Sequence, residues 1–299
     1  MMRLRGLSAF FCMGLALAAS PARAAEESVG DWRFELGSKV WIQRWDTAQN
    51  GAVSKFVNNN AGLAQFSNHI SANHALGVSG IPYLYVGWRK WFVTGSYSGS
   101  NVFNFPATRE VIANVNGAAA GTAFELESKI RATRTEGDFN LGYMLFPQVG
   151  VTAGYKAVRL NFDEFTTGSQ VGTPATKLLP RDNATKYMYD GFVAGIAAGA
   201  DLGAGFQIYG NGGGGFMSIR GEDRLDKTRI TSGSAAYELV ELGFKWAYPA
   251  LHLKTQAGYR FQGIQSSLRG RDMNTNATLE LLKFRDVTSG YILGLSATF

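Results

Sequence analysis

Three histidines are the side chains in this sequence with the most obvious catalytic potential. His69 and His74 lie five residues apart, and His252 lies far along the chain. A histidine paired with a carboxylate can act as a general base, and several together can bind zinc. Because no cysteine or second acidic motif completes a ligand set near His69 and His74, we expect both to be solvated loop histidines, with His252 near a periplasmic turn. A surface hydrolase that uses His69 or His74 with a loop carboxylate remains an alternative.

The glycine-rich run 210–215 contains the spacing G-x-G-x-x-G that is found in dinucleotide-binding sites. That chemistry requires a helix directly after the glycines, so that its N-terminus meets the pyrophosphate. Here Phe216 and Met217 continue an alternating pattern instead, and glycine inside a strand permits sharp curvature or a bulge. We therefore expect a strand at this position and no nucleotide cofactor.

Charged residues recur at every second position in several segments, which indicates the elements that position them. Near the start, Arg33, Glu35 and Lys39 alternate with apolar side chains such as Trp32 and Phe34. A period of two predicts a β-strand whose two faces meet different environments. Such strands are expected near 32–45, 78–88, 91–103, 126–145, 149–163, 185–200, 205–219, 235–247, 250–265 and 283–299.

The final segment alternates up to the last residue. Its apolar positions include Tyr291, Leu293, Leu295 and the terminal Phe299. This pattern resembles the closing strand of bacterial outer-membrane β-barrels. The resemblance implies that these four residues form the signal read by the outer-membrane assembly machinery, a partner during biogenesis. Barrel enzymes of that superfamily carry Asp-Asp and Asp-His pairs or a Ser-His-Asn set, which we cannot place on matching strands here.

The composition and the N-terminus agree with an exported membrane protein. Among 299 residues, 13% are aromatic, 17% are charged and 37 are glycine, a profile that suits a β protein in contact with lipid. Residues 1–24 read as a cleaved signal peptide, which leaves 25–299 as a cysteine-free barrel. Its removal takes away Arg3, Arg5 and Arg23 and halves the formal net charge of +6. A nucleic-acid partner therefore has no support.

The expected fold class is all-β: a closed antiparallel transmembrane β-barrel of about 10 strands (about 8 to 12), with short periplasmic turns and long extracellular loops. Lipid offers no hydrogen-bond partners, so an open sheet edge would leave amides unsatisfied and closure is required. Aromatic residues flank the short turns, where they would form a girdle at the headgroup level. These residues are Trp88, Trp91, Tyr143, Phe146, Trp246 and Tyr248.

The positions opposite the apolar faces would point into the lumen and carry nearly balanced charge. They are Arg33, Glu35, Lys39, Arg134, Glu136, Asp138, Lys156, Asp190, Glu241, Lys245, Lys254, Arg260 and Asp286. A selective pore usually shows a ring of one sign, whereas mixed charges can pair and fill a narrow interior. We therefore expect a largely plugged lumen.

Basic residues also cluster near the ends of the long loops. Arg220, Arg224 and Arg229 are candidate contacts for lipopolysaccharide, because basic groups are attracted to an anionic lipid surface. The sequence thus favours a non-enzymatic outer-membrane barrel without a metal or cofactor, with a structural or surface-interaction role through its extracellular loops. A narrow passive channel for small solutes is the second reading, and the surface hydrolase is the third.

Overall fold

A computed structural model describes residues 32–47, 74–113, 123–171, 173–223, 228–272 and 282–299 of the chain. They form ten antiparallel strands and a short 3₁₀ helix at Pro249–Leu251. No helix within these ranges is long and apolar enough to cross a membrane. The strands are β1 Trp32–Thr47, β2 His74–Trp88, β3 Trp91–Ala113, β4 Ala123–Phe146, β5 Val149–Gln170, β6 Thr173–Gly203, β7 Phe206–Asp223, β8 Thr228–Tyr248, β9 Leu253–Asp272 and β10 Leu282–Thr298.

The ten strands close into a barrel in which each pairs with its neighbours in sequence and β10 pairs with β1. At the closure, the Phe34 amide donates to the Phe299 carbonyl oxygen at 3.1 Å, and the Phe299 amide donates back to Phe34 at 2.9 Å. The last residue of the chain thus completes the hydrogen-bond ladder and removes the open edge. The predicted fold class, strand count and antiparallel order are confirmed.

Four short connections define one end of the barrel, here called the turn end. Arg89-Lys90, Pro147-Gln148, Ala204-Gly205 and the segment around Pro249 join consecutive strands there. Gly203 and Gly205 have φ values of 88° and 82°, which are costly for side chains other than glycine. Both the first residue of β1 and the end of the chain lie at this end. The opposite end, where the long connections emerge, is called the loop end.

The strands extend further toward the loop end than the alternation predicts. The segment 164–184, which lies between two of the predicted strands, is mostly strand, because β5 continues to Gln170 and β6 begins at Thr173. Backbone pairing between them continues from Asp163↔Ala184 up to Gln170↔Thr173. Ladder bonds need no apolar alternation, so a polar sequence can continue a hairpin beyond the lipid. The connection between β1 and β2, residues 48–73, lies outside the described residues.

The outer face carries two rings of aromatic side chains separated by aliphatic residues. The predicted girdle surrounds the turn end, where Trp91 packs on Tyr143 with ring centroids 4.8 Å apart and Phe206 stacks on Trp246 at 4.7 Å. A second ring, which the sequence reading missed, lies further up the wall: Tyr97, Phe139, Tyr155, Phe192, Phe216, Tyr259 and Tyr291, all at least 42% exposed. Two such girdles around an apolar band are the outer surface of a transmembrane barrel.

Candidate functional site

The inward-facing side chains are the candidate functional site, and they form three layers. Strand alternation places these residues inside because their neighbours in sequence carry the outer aromatic and aliphatic side chains. Glu136 and Glu241, for example, are almost completely buried although both are charged. Buried carboxylates of this kind persist only when cations and hydrogen-bond donors surround them. The partners of each carboxylate therefore define the layers.

The layer nearest the turn end is built on Glu35 and Glu241. Lys254 lies 3.2 Å from Glu35, which also accepts hydrogen bonds from the Tyr83 hydroxyl at 2.6 Å and from Ser296 at 2.8 Å. Glu241 accepts from Lys39 at 3.1 Å, from Arg260 at 2.6 Å and from Tyr209 at 3.1 Å. Each carboxylate thus has at least one cation and one neutral donor. Tyr83 and Tyr209 fill the space between the charges.

The central layer joins Arg134, Glu136, Lys156 and Asp286 across the barrel. Arg134 contacts Glu136 on its own strand and lies 3.1 Å from Asp286 on β10. Lys156 lies 2.9 Å from Glu136 and 3.8 Å from Asp138. Because the partners come from β4, β5 and β10, these ion pairs span the lumen rather than run along one wall. Side chains of this size leave little open section at this level.

Further donors complete this central layer. The Trp45 indole donates to Asp286 at 2.7 Å, and Arg134 donates to the Thr288 hydroxyl at 2.7 Å. Gln262 donates to Glu136 at 3.0 Å. A network in which every charged group has a partner is rigid, because moving one member would leave a buried charge without a partner. The central layer therefore behaves as a fixed plug.

Above the charges, toward the loop end, the lumen is apolar. Trp45 lies at the base of this cluster, with its ring 4.9 Å from Phe103, 5.4 Å from Phe105 and 5.4 Å from Phe162. The other members share inward positions and nearly complete burial: Ala75, Ile130, Ala132, Val158, Leu160, Tyr187, Tyr189, Met217, Ile219, Ala235, Tyr237, Ile264 and Leu268. We call this set the apolar plug. It resembles the core of a soluble domain rather than the lining of a water-filled pore.

The predicted lumen residues lie inside the barrel with one exception. Twelve of them occupy inward positions, and their ion pairs and buried side chains form the two charged layers or their rim. Asp190 was predicted to face the lumen, and this is wrong. It lies on the outer wall, where it accepts hydrogen bonds from Tyr155 at 2.7 Å and Arg220 at 3.0 Å. The outward Phe192 two residues away fixes this face, since the pairing of β6 has no bulge between them.

Asp190 belongs to a collar of charged residues on the outer wall, on the loop-end side of the upper aromatic ring. Arg44 pairs with Asp46 at 3.0 Å, and Arg285 pairs with Glu238 at 2.5 Å. Of the three arginines predicted to contact lipopolysaccharide, Arg220 lies in this collar and is 69% exposed. Arg224 lies outside the described residues, and Arg229 is described only by its backbone position in β8, opposite Glu222. The structure thus places one of the three at the expected height.

The histidines do not assemble a reactive group within the described residues. His69 lies outside them. His74 begins β2, directly opposite Asp46 in the register, but this pair lies on the outer wall and Asp46 binds Arg44. His252 lies at the turn end with φ 52°. In the described part of the chain, no group of three or more metal-binding side chains is close enough to hold an ion.

The apolar plug is the feature that the sequence reading missed. Its signal was present in the inward positions of the upper strand segments, such as Leu160 and Phe162 on β5 and Tyr187 and Tyr189 on β6. Alternation was read as apolar outside and polar inside along each whole strand. Once a strand leaves the lipid the preference reverses, because water then covers the outer wall. Outward charges at Arg159 and Asp163 mark that change on β5.

The barrel fold has counterparts among solved structures. No family model matches the chain, and no curated protein matches it. The outer membrane protease OmpT from Escherichia coli superposes with a TM-score of 0.51 at 12% identity, over 93% of this chain and 99% of that one. This likeness shows a shared barrel fold.

Two further structures align with lower scores. The toluene transporter TodX from Pseudomonas putida has a TM-score of 0.31 at 10% identity, covering 94% of this chain and 93% of its own. The outer membrane protein OprG from Pseudomonas aeruginosa has 0.31 at 13% identity, covering 91% and 98%. The chain has the fold of bacterial outer-membrane β-barrels, as the pattern of its last strand predicted.

Proposed function

We propose that this protein is an integral outer-membrane β-barrel whose lumen is closed by its own side chains and whose loop end has a structural or surface-interaction role. The apolar plug is the observation that carries this proposal. Trp45, Phe103 and Leu160 have no measurable exposure, and hydrated solutes do not pass a packed apolar section. A barrel with a closed lumen can interact with other molecules through its outer wall and its loop end.

The outer wall supports residence in the membrane. Its apolar band lies between two aromatic rings, and ion pairs occur on the loop-end side of the upper ring. That order matches lipid, interface and water in a bilayer. Export by the predicted signal peptide at residues 1–24, and recognition of Tyr291, Leu293, Leu295 and Phe299 by the assembly machinery, are parts of the same proposal. All four of these side chains face outward.

Lipopolysaccharide is the proposed lipid partner of the charged collar. Arg220 is exposed on the loop-end side of Phe216, which is 83% exposed, so an anionic headgroup above the band could reach its guanidinium. We expect that replacing Arg220, Arg224 and Arg229 by glutamine weakens binding of lipopolysaccharide to the purified barrel several-fold. Replacing Arg33, Arg89 and Lys90 at the turn end is the control. Equal lipopolysaccharide binding by both triple variants would contradict the proposal that these three arginines bind lipopolysaccharide.

Conductance in planar bilayers tests the closed lumen. The refolded barrel, residues 25–299, should insert without producing single-channel steps, because the apolar plug blocks the section. Stable steps in the wild-type protein would instead support the passive channel. The hydrolase reading has its own test: a hydrolytic activity of the purified barrel that is lost on His74→Ala would replace the present proposal.

A further inference from the structure

The lumen at the turn end is unevenly filled. On β5, on β6 and at two positions of β7 the inward residues are very small or short and polar: Thr152, Gly154, Gly195, Ala197, Gly199, Asn211 and Gly213. We call these seven residues the small-residue wall. The larger Tyr209 of β7 lies against Gly243 and Gly258, on the side of β8 and β9. All seven are half-buried, whereas inward residues further up the same strands, such as Leu160 and Tyr189, have no measurable exposure. Space therefore remains in front of this wall and opens toward the turn end.

The remaining wall at this height, from β8 through β9 and β10 to β1, is basic. Four cations, Lys39, Lys245, Lys254 and Arg260, share only two carboxylates, Glu35 and Glu241. Lys39 and Arg260 pair with Glu241, and Lys254 pairs with Glu35. Lys245 has no carboxylate partner within the described residues, and its ammonium lies 4.8 Å above the ring of Tyr209. This side of the space thus carries an uncompensated positive charge.

Two buried hydrogen-bond donors on the basic wall lack an acceptor within the described residues. Gln256 lies directly opposite Lys245 in the register, and its side-chain nitrogen is buried without a hydrogen-bond partner among the described residues. The indole nitrogen of Trp41, which packs under Arg260 at 5.3 Å, is buried and unpartnered in the same way. Buried donors without acceptors are rare in folded proteins. Both unpartnered groups are donors, and Gln256 lies beside a lysine that has no carboxylate partner within the described residues.

We propose that the turn-end lumen is a binding site for a small anion that carries a phosphate or carboxylate group, held by Lys245 and Gln256 with Lys39 and Lys254 at its sides. A phosphate or carboxylate offers several acceptor lone pairs to one ammonium and one amide, which matches the donors present. Because the apolar plug closes the other end, the anion enters and leaves through the turn end. The site is a dead-end pocket rather than a pathway.

Cysteine labelling tests this site cleanly, because the only cysteine of the chain, Cys12, lies in the predicted signal peptide. The Ala197→Cys variant of residues 25–299 places one thiol on the small-residue wall, on β6, which β7 separates from the strand that carries Lys245. In detergent, its reaction rates with a negatively and a positively charged methanethiosulfonate of similar size are compared. We expect the anionic reagent to react about tenfold faster than the cationic one. Inorganic phosphate should lower the rate of the anionic reagent until the site is saturated.

Substitutions in the same background assign the effect to the site. Lys245→Met should abolish the preference for the anionic reagent, and Gln256→Leu should weaken protection by phosphate while leaving every charge in place. Lys90→Met, which removes a lysine from a turn outside the lumen, is the matched control and should change neither. The gel mobility of the unheated, folded barrel confirms that each variant has folded.

Three labelling results would each overturn the proposal: equal rates for the two reagents, no labelling at Ala197→Cys, or the same loss of preference from Lys90→Met as from Lys245→Met. Protection by chloride at the same ionic strength, equal to that by phosphate, would also overturn it, because simple screening would then explain the effect. Conductance plays no part in these readouts. A conducting barrel would contradict the closed lumen and the dead end of the pocket but not anion binding by Lys245 and Gln256, and loss of anion binding would leave the closed lumen intact.

Discussion

The two halves of the lumen are built from the same strands but follow different rules. On β6, Tyr187 and Tyr189 fill the loop-end half, while Gly195 and Ala197 leave the turn-end half open. The outer wall changes in the opposite sense, from aromatic and aliphatic at the turn end to charged at the loop end. The medium outside the barrel thus decides what can fill it. Where lipid covers the wall the interior is polar, and where water covers it the interior packs like a soluble core.

The largest expected effect comes from opening the apolar plug. Trp45→Ala removes a ring that contacts three phenylalanines and also takes the indole donor from Asp286. We expect a loss of about 3–5 kcal/mol in the free energy of unfolding, measured by urea titration of the barrel in lipid vesicles. Trp88→Ala, at the turn-end girdle, should cost about 1 kcal/mol, the value of an aromatic pair. Equal costs would contradict the contrast between the halves.

Removal of a carboxylate should destabilise the barrel more in the central layer than in the turn-end layer. Glu136→Ala leaves Arg134 buried and Lys156 with only the longer contact to Asp138, at an expected cost of about 3–5 kcal/mol. Glu35→Ala frees Lys254, which is 39% exposed and can be solvated, so about 1 kcal/mol is expected. Urea titration of both variants measures the difference. A Glu136→Ala barrel as stable as wild type would show that the network does not hold the centre together.

Added volume should be tolerated in one half and not in the other. Ala132→Leu inserts atoms into the apolar plug, where Ala132 has no measurable exposure, and should cost about 1–3 kcal/mol. Ala197→Leu extends into the space before the small-residue wall and should cost less than about 0.5 kcal/mol. The thermal unfolding midpoints of the two variants give the comparison. A larger loss from Ala197→Leu would mean that the turn-end lumen is already full.

The smallest expected loss of stability comes from a substitution on the outer wall. Asp190→Asn weakens the contact with Arg220 without removing the hydrogen bond from Tyr155, and Arg220 is largely exposed. We expect less than about 0.5 kcal/mol in the urea titration, the usual value of an exposed pair. A cost as large as that of Glu136→Ala would place Asp190 inside the barrel after all.

The architecture could be predicted from the sequence because a barrel strand shows its two environments residue by residue. Alternation along the chain to Phe299 located all ten strands, and the turn residues located the short connections. Strand ends at the loop side could not be predicted, because hydrogen-bonded hairpins in water need no apolar pattern. The position of Tyr155 and Phe192 in an upper aromatic ring also requires the register of neighbouring strands.

The site was only partly predictable, for the same reason. Charges such as Glu136 and Lys156 were assigned to the lumen from alternation alone, but their partners come from distant strands and depend on the closed topology. Asp190 was assigned to the lumen because it is charged, although alternation places it on the same outward face as Phe192, two positions away. The apolar plug was missed because one rule, apolar outside, was applied beyond the height of the lipid.

Solvent access along the lumen tests the central claim most directly. Single cysteines at Ala197 and at Ala132, introduced separately into residues 25–299 in vesicles, are exposed to a small neutral thiol reagent under native conditions. The Ala197→Cys barrel should react within minutes, and the Ala132→Cys barrel should remain unmodified until it is unfolded. Rapid modification at both positions would show a lumen that is open from end to end and would contradict the account.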